Sequence, residues 1–351
     1  MDLSFLKSLY DRPGPYASVH ADLTRTTEEA PKAPELRWRA LRETLEAEGA
    51  PEDTLRAVDA AVQQELTEKR SEGLVLYAAG GEVAHLTRLP GPPARQLARV
   101  SQLPHVLPLL AQRGERFPYL VVTVDRRGGE ICCVAADGTR TTITVEGDED
   151  YPIRKVKAEG WNQSRIQRAA ENVWKANAKK VGREVDQAAK QCGGELLIVS
   201  GDPQARSAVL EEISEPLLEN TVETKDIDEI LELKQAERLM AVAERFETEL
   251  AHGERAVKGL SATVQAARRG QIDTLLLPDD SPARVWIGPN PIEIAVEREE
   301  LHALGVDDPV EERADAALIR AVAATDGNLA LLRQSKIGAV LRYSDAATRH
   351  Q

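Results

Sequence analysis

Between Pro118 and Glu146, three stretches rich in β-branched and aliphatic residues are separated by two turn signals. PYLVVTVD is followed by RRGG, EICCVAA by DG, and TRTTITVE by the acidic run GDED. Apolar runs bounded by Gly- and Asp-containing turns read as strands of an antiparallel meander. The chain then changes period. From about Ser164 to Gln191 the apolar spacing is helical, and Cys192-Gly193-Gly194 stops it. ELLIVSGD reads as a buried strand and PQARSAVLEEI as a helix, with more helical sequence over 226–250.

A meander that gives way to α/β alternation is the order expected of a ribonuclease-H-like fold, although other α+β arrangements also satisfy it. On either side the pattern is mixed. DRPGP at 11–15 is turn chemistry, and Leu36, Ala40, Leu41, Leu45 and Ala47 follow a helical spacing that ends at Gly49. A second helix restarts after Pro51 with Leu55, Val58, Val62 and Leu66 on one face. Strands over 74–78 and 82–88 flank Gly80-Gly81, a hairpin signal. The Pro-rich LPGPPARQLARVSQLPHVLPLL reads as a linker with a short helical piece, which places a boundary near Arg116. Beyond 252 the spacing predicts a helix over 256–269, strands at IDTLLLP and ARVWIG, a helix over 310–324, and strands at NLALLR and IGAVLRY.

With 351 residues the chain suits two or three domains. Aromatic residues are 4% of the total, so the cores must be built from Leu, Val, Ile and Ala. No apolar run has the length of a membrane span, and no membrane partner is expected. Three cysteines, Cys132 and Cys133 adjacent, do not make a disulfide framework and suit a reducing cytoplasm. A net charge of −13 excludes nucleic-acid binding by the whole surface but leaves room for a local basic face.

That face is concentrated in one place. Residues 153–183 hold Arg154, Lys155, Lys157, Arg165, Arg168, Lys175, Lys179, Lys180 and Arg183, opposed only by Glu159 and Glu171, a net of +7. Arg165, Arg168, Asn172, Lys175, Lys179 and Arg183 step by three or four and share a helix face, whereas Ile166, Ala170, Val173 and Val181 mark a core-facing stripe. Such a face can be ordinary solvated surface. A surface helix usually interleaves Glu with Lys, however, and this one does not. With Trp161 at its mouth to stack on a base, the track suits RNA phosphates and exposed bases.

Other groupings are weaker. Asp125, Asp137 and Asp150 lie on or beside the meander, where a magnesium nuclease would carry carboxylates, but Asp-Arg-Arg-Gly and Asp-Gly are also plain turn chemistry. Cys132 and Cys133 should face opposite sides of a strand and are expected to pack. The histidines show no ligand spacing, and no metal or cofactor is expected. Residues 293–315 carry nine acids against Arg298 and Arg313, a solvated face or, more sharply, a protein-binding one.

Gly160-Trp161-Asn162-Gln163-Ser164 opening a basic helix after a three-strand meander resembles the central domain of archaeal and eukaryotic class-one release factors. In that family a Gly-Gly-Gln loop at the head of a long helix enters the peptidyl transferase centre. RWRALRETL, LPHVLPLLAQRGERFPYLVVTVD, YPIRKVKAEGWNQSRIQRAAENVWKANAKKV and VQAARRGQIDTLLLPDD are more closely similar to the bacterial release-factor-like family. It includes Balon-type ribosome hibernation factors and relatives labelled peptidyl-tRNA hydrolases. The resemblance implies an α/β (α+β) chain of three domains: an α/β domain over 1–116, a ribonuclease-H-like domain over 117–252, and an α/β/α sandwich over 253–351 like the kink-turn-binding ribosomal proteins.

It also implies a cytoplasmic ribosome-binding factor in the vacant A site, with the Gly160–Ser164 loop toward the peptidyl transferase centre and the basic residues on ribosomal RNA. Elongation factor Tu and a P-site tRNA are the companions it suggests. Trp161 and Asn162 replace the glycine whose conformational freedom the water-mediated chemistry uses. A hydrolase would instead rest on the Gly-x-x-Gln spacing of Gly160 and Gln163, with Gln163 orienting water. The stop-codon signature Asn-Ile-Lys-Ser is absent, so codon-dependent termination is not expected.

Overall fold

The computed structural model describes residues 1–25, 33–68, 71–125, 127–136, 138–147, 161–332 and 336–345, and of 161–172 and 174 the backbone alone. Two compact units emerge, Met1–Gly114 together with Arg238–Gln351, and Glu115–Glu237.

The first unit opens with a 3₁₀ helix, Ser4–Asp11, followed by β1 (Tyr16–Asp22), α1 (Ala33–Ala47) and α2 (Glu52–Glu68). Next come β2 (Gly73–Ala79), β3 (Glu82–Leu89), β4 (Leu97–Ser101) and α3 (Leu107–Arg113). The strands form an antiparallel sheet in the order β3-β2-β1-β4. Gly80 and Gly81 join β2 to β3 at φ of 58° and 77°, a left-handed pair that other residues adopt only at a cost. One face of the sheet packs Val19, Leu74 and Leu76 against Trp38, Leu45, Leu55, Val58 and Val62 of α1 and α2. The stripe of α2 is the one the spacing predicts, but in α1 the expected Leu36, Ala40 and Ala47 are exposed, and Trp38 joins Leu45 in facing the sheet. Strands β1 and β4 are not anticipated by the sequence pattern. Six of the seven residues of β1 are buried, so it shows no alternation, and β4 lies inside the passage that reads as a Pro-rich linker.

The second unit holds β5 (Tyr119–Val124), β6 (Gly128–Val134), β7 (Arg140–Glu146) and α4 (Trp161–Cys192). They are followed by β8 (Leu196–Gly201), α5 (Pro203–Leu210), α6 (Glu215–Leu218), β9 (Thr221–Glu223) and the start of α7 (Ile227–His252). The meander forms as expected: β5-β6-β7 are antiparallel, and β8 and β9 extend the sheet in parallel on the other side of β5. The resulting order, β7-β6-β5-β8-β9, is the ribonuclease-H-like arrangement. Helices α4 and α5 cover one face over Leu120, Val122, Leu197 and Val199, while Ile227, Ile230 and Leu231 of α7 cover Phe117, Leu196 and Ile198 on the other. The pleat therefore sends Leu197 and Ile198 to opposite cores. The cysteine expectation needs correction. Cys133 and Cys192 form a disulfide with Cα atoms 6.6 Å apart, because the end of α4 returns beside the end of β6; Cys132 alone is free.

The remainder of the first unit comprises β10 (Ala256–Lys258), α8 (Leu260–Arg268), β11 (Ile272–Leu277), β12 (Arg284–Ile287) and β13 (Ile294–Ala295). It ends with α9 (Arg298–Ala303), β14 (Val310–Arg313), α10 (Ala314–Ala324), β15 (Asn328–Leu331) and β16 (Gly338–Leu341). Strands β10-β16-β11-β15 make one sheet and β13-β12-β14 a small second one. Alternation along β11 and β16 builds the α/β/α sandwich. Leu275, Leu277, Ala339 and Leu341 join the core that contains α8 and α10, while Leu276 and Val340 meet Phe246 of α7.

Two helices expected here are shorter. Residues 256–258 are a strand because Gly259, at φ 96°, breaks the run before α8. Residues 310–313 pair with β12 before α10 begins. The acid-rich stretch is not a uniform solvated face either. Glu312 and Asp315 are buried, Asp315 is held by Arg313 at 2.7 Å, and Glu300 and Glu311 pair with Arg268 and Arg284. The amino-terminal segment completes this part of the unit: Leu3, Leu6 and Leu9 pack in the core of α10, and Asp2 bridges to Asn328.

Candidate nucleic-acid interface

Helix α4 begins at Trp161, three residues before the spacing predicts. Trp161, Asn162 and Gln163 are thus its first turn and not a loop, since neither Pro nor Gly interrupts the chain between Gly160 and Gly182. Gly160, Arg154, Lys155 and Lys157 lie outside the described residues, as do Asp137 and Asp150, and so do the side chains of Trp161, Asn162, Gln163, Ser164, Arg165 and Arg168.

The described part of the helix sorts its residues by face. Ala178, Val181, Val185 and Ala188 are buried against the sheet, and Asn177 is buried beside Gly147 at the end of β7. Lys175, Lys179 and Arg183 are exposed, and their spacing of four places them on one side, away from the core stripe. Lys180 departs from the row. It is half-buried, and its Nζ donates to the carbonyl of Glu146 at 2.9 Å, fastening the helix to the end of β7. No acidic residue stands in the first turn, so the positive end of the helix dipole is not offset there.

Anions are what such a helix attracts. Three exposed cations in register suit successive phosphates.

Nothing comparable supports hydrolytic metal chemistry among the described residues. Asp125 Oδ1 accepts the backbone N–H groups of Arg127 and Gly128 at 2.7 and 2.9 Å, which is turn chemistry. No group of three or more His, Cys, Asp or Glu is placed to hold an ion among those residues. A cavity of about 230 Å³ lies between α4 and α5, lined by Asp125, Lys175, Asn177, Val181 and Gln204, and sequence reasoning gave no sign of it. Its residues come from three separated segments.

Residues 118–252 match the profile of bacterial archaeo-eukaryotic release factor family 2. That segment is release-factor-like. The match takes in the meander, α4 and the rest of the ribonuclease-H-like unit, so the exposed cations of α4 lie within the matched segment. An uncharacterised protein of Mycobacterium tuberculosis, strain H37Rv, is 28% identical over 365 residues, covering 97% of this chain and 96% of its own. Among solved structures, the archaeal translation termination factor aRF1 aligns over 97% of both chains at 15% identity and a TM-score of 0.26. Archaeal Pelota from a ribosome-bound assembly with ABCE1 aligns over 97% of this chain and 94% of its own, at 12% identity and a TM-score of 0.40. No helix among the described residues is long and apolar enough to cross a membrane.

Proposed function

We propose that the chain is a ribosome-binding factor that occupies the vacant A site of idle ribosomes, a hibernation role. The observation that carries this reading is the row Lys175, Lys179 and Arg183, exposed along one side of a helix in the release-factor-like segment. The proposal extends the row through Arg168, Arg165, Lys157, Lys155 and Arg154 onto ribosomal RNA, with Gly160–Ser164 directed at the peptidyl transferase centre. Trp161 and Asn162, in the first helical turn, stand where a release factor's flexible glycine would be, which favours a plug over a catalyst. Elongation factor Tu and a P-site tRNA are the companions in this proposal, and the cytoplasm is its compartment.

Co-sedimentation with ribosomes tests it. Replacing Arg165, Arg168, Lys175 and Lys179 by Glu should abolish pelleting, and wild-type binding should weaken steeply with salt, the decimal logarithm of the affinity falling by about 0.7–0.9 per phosphate neutralised for each tenfold rise in salt. Unchanged pelleting of the charge-reversed protein would refute the proposal.

A second reading rests on Gln163 lying three residues after Gly160: peptidyl-tRNA hydrolysis for ribosome rescue. It requires release of nascent chains from ribosome-bound peptidyl-tRNA that Gln163→Ala removes. Intact peptidyl-tRNA after incubation with saturating protein eliminates it.

A further inference from the structure

A second cavity, of about 360 Å³, lies in the first unit and is remote in sequence from the release-factor-like segment. Its walls come from the end of the 3₁₀ helix, the turn into β1, the residues after β4 and β12, and α10. Arg320 of α10 reaches into it with only 9% of its surface exposed. The guanidinium donates to the carbonyl of Gly288 at 3.0 Å and to that of Pro289. Among the described residues no carboxylate is in salt-bridge contact with it, and Glu293 acts on its charge only from further off. A guanidinium has five N–H donors in a planar fork, so two carbonyls do not exhaust it.

The neighbouring hydroxyls do not neutralise this charge. Burial pushes Tyr10 far above its ordinary range and raises Tyr16 to about 12, with Arg320 opposing both shifts, so both are neutral phenols at physiological pH. Tyr16 donates to the carbonyls of Leu9 and Arg12. The Tyr10 hydroxyl is buried and has no hydrogen-bond partner among the described residues. A buried cation and a buried unpaired donor on one cavity wall are each costly unless an acceptor meets them.

The remaining walls set the ligand's other properties. Leu103, Ile287 and the tyrosine rings are apolar. Asp11 and Asp308 line the same cavity but are exposed, and Arg12 beside them is paired with Glu82, so the unpaired charge of the rim is acidic around a cationic floor. A dianion such as phosphate is repelled at that rim more strongly than a singly charged group. We propose that this cavity binds a small monocarboxylate with an apolar body, its carboxylate taken by Arg320 and Tyr10. The fork of Arg320 suits two carboxylate oxygens, and the hydroxyl of Tyr10 supplies a further donor. The volume lies within the range of small-molecule sites.

Calorimetric titration of the full chain with 3-phenylpropionate, 3-phenylpropanol and inorganic phosphate tests the assignment. Saturable binding of the carboxylate is expected, at least tenfold tighter than phosphate, with no saturation by the alcohol. Tyr10→Phe keeps the ring and should weaken the carboxylate about tenfold, the effect of one hydrogen bond to a charged group. Arg320→Met should abolish binding. Because Arg320 also holds two backbone carbonyls, the Tyr10→Phe result stands as the decisive one if Arg320→Met does not fold. Absence of saturable carboxylate binding, phosphate binding as tight, or equal affinity in Tyr10→Phe would each overturn the proposal.

Discussion

Glu312 and Leu103, 209 positions apart, are joined inside the first unit, where Glu312 Oε2 accepts the backbone N–H of Leu103 at 3.0 Å. Glu312 is 3% exposed, and its other oxygen accepts from the N–H of Arg313. Truncation to Ala strands a buried donor beside a hole. Glu312→Ala should lower stability by about 2 kcal/mol, with the melting midpoint of that unit down by roughly 4–8 °C. Chemical denaturation read by intrinsic fluorescence checks it, and a shift within error would show that the contact is dispensable.

Two histidines set the acid side of the stability profile. Burial holds His20 and His105 down to about 4 from an ordinary 6.5, so both are neutral in the folded chain. Their folded pKa is depressed, so the unfolded chain binds more protons between those values. Their contribution is complete above pH 6.5 and is lost progressively as pH falls toward 4, at up to about 1.4 kcal/mol per pH unit for each histidine. Urea midpoints measured from pH 7.5 to 4.5 should fall along this slope, and His20→Gln should flatten it. A flat profile for the unmodified protein would contradict the assignment.

The Cys133–Cys192 link closes a sequence separation of 59 residues, about half of the second unit. Loop-closure entropy for that length amounts to about 4 kcal/mol in the chain-entropy account. Reduction, or Cys192→Ser, should therefore lower the unfolding midpoint of this unit. Thiol titration of the unreduced denatured protein should find Cys132 alone, and all three cysteines after reduction. Three reactive thiols before reduction would remove the link.

Gly201, at the end of β8, sits at φ 110°, and a Cβ there would lie 2.0 Å from the carbonyl oxygen of Val124. That carbonyl accepts the N–H of Asp202, whose side chain caps α5 through Gln204 and Ala205. Gly201→Ala should cost about 2–4 kcal/mol, through backbone strain and displacement of the cap. Thermal melts decide it; a loss below about 0.5 kcal/mol would mean that the turn relaxes freely.

Local physics explains which parts of this architecture can be read from the chain. The stripe Leu55, Val58, Val62 and Leu66 and the turns of the meander are written in short-range spacing, and both form as spaced. β1 escapes notice because Tyr16 to Ala21 are buried on both faces and lose the alternation that marks a strand. The link from Cys133 to Cys192 is invisible for a different reason: it depends on where a long helix ends relative to a strand begun 64 residues earlier. At the candidate interface, Lys175, Lys179 and Arg183 were legible as a row because helix geometry is local. Lys180, left out of that row but counted among the basic residues, could not be recognised as an anchor, since its contact with the carbonyl of Glu146 lies across the fold.

The length of α4 has a mechanical consequence. Its 32 residues span about 48 Å, roughly twice the reach of the strands beneath it. The buried positions among its described side chains run from Asn177 onward, and Trp161 lies about 24 Å further along the axis. The Lys180–Glu146 contact and the Cys133–Cys192 link both fasten the carboxy-terminal half of the helix to the sheet. Over the distance from Asn177 to Trp161, a 10° difference in the direction of the axis amounts to about 4 Å, more than a hydrogen bond's length.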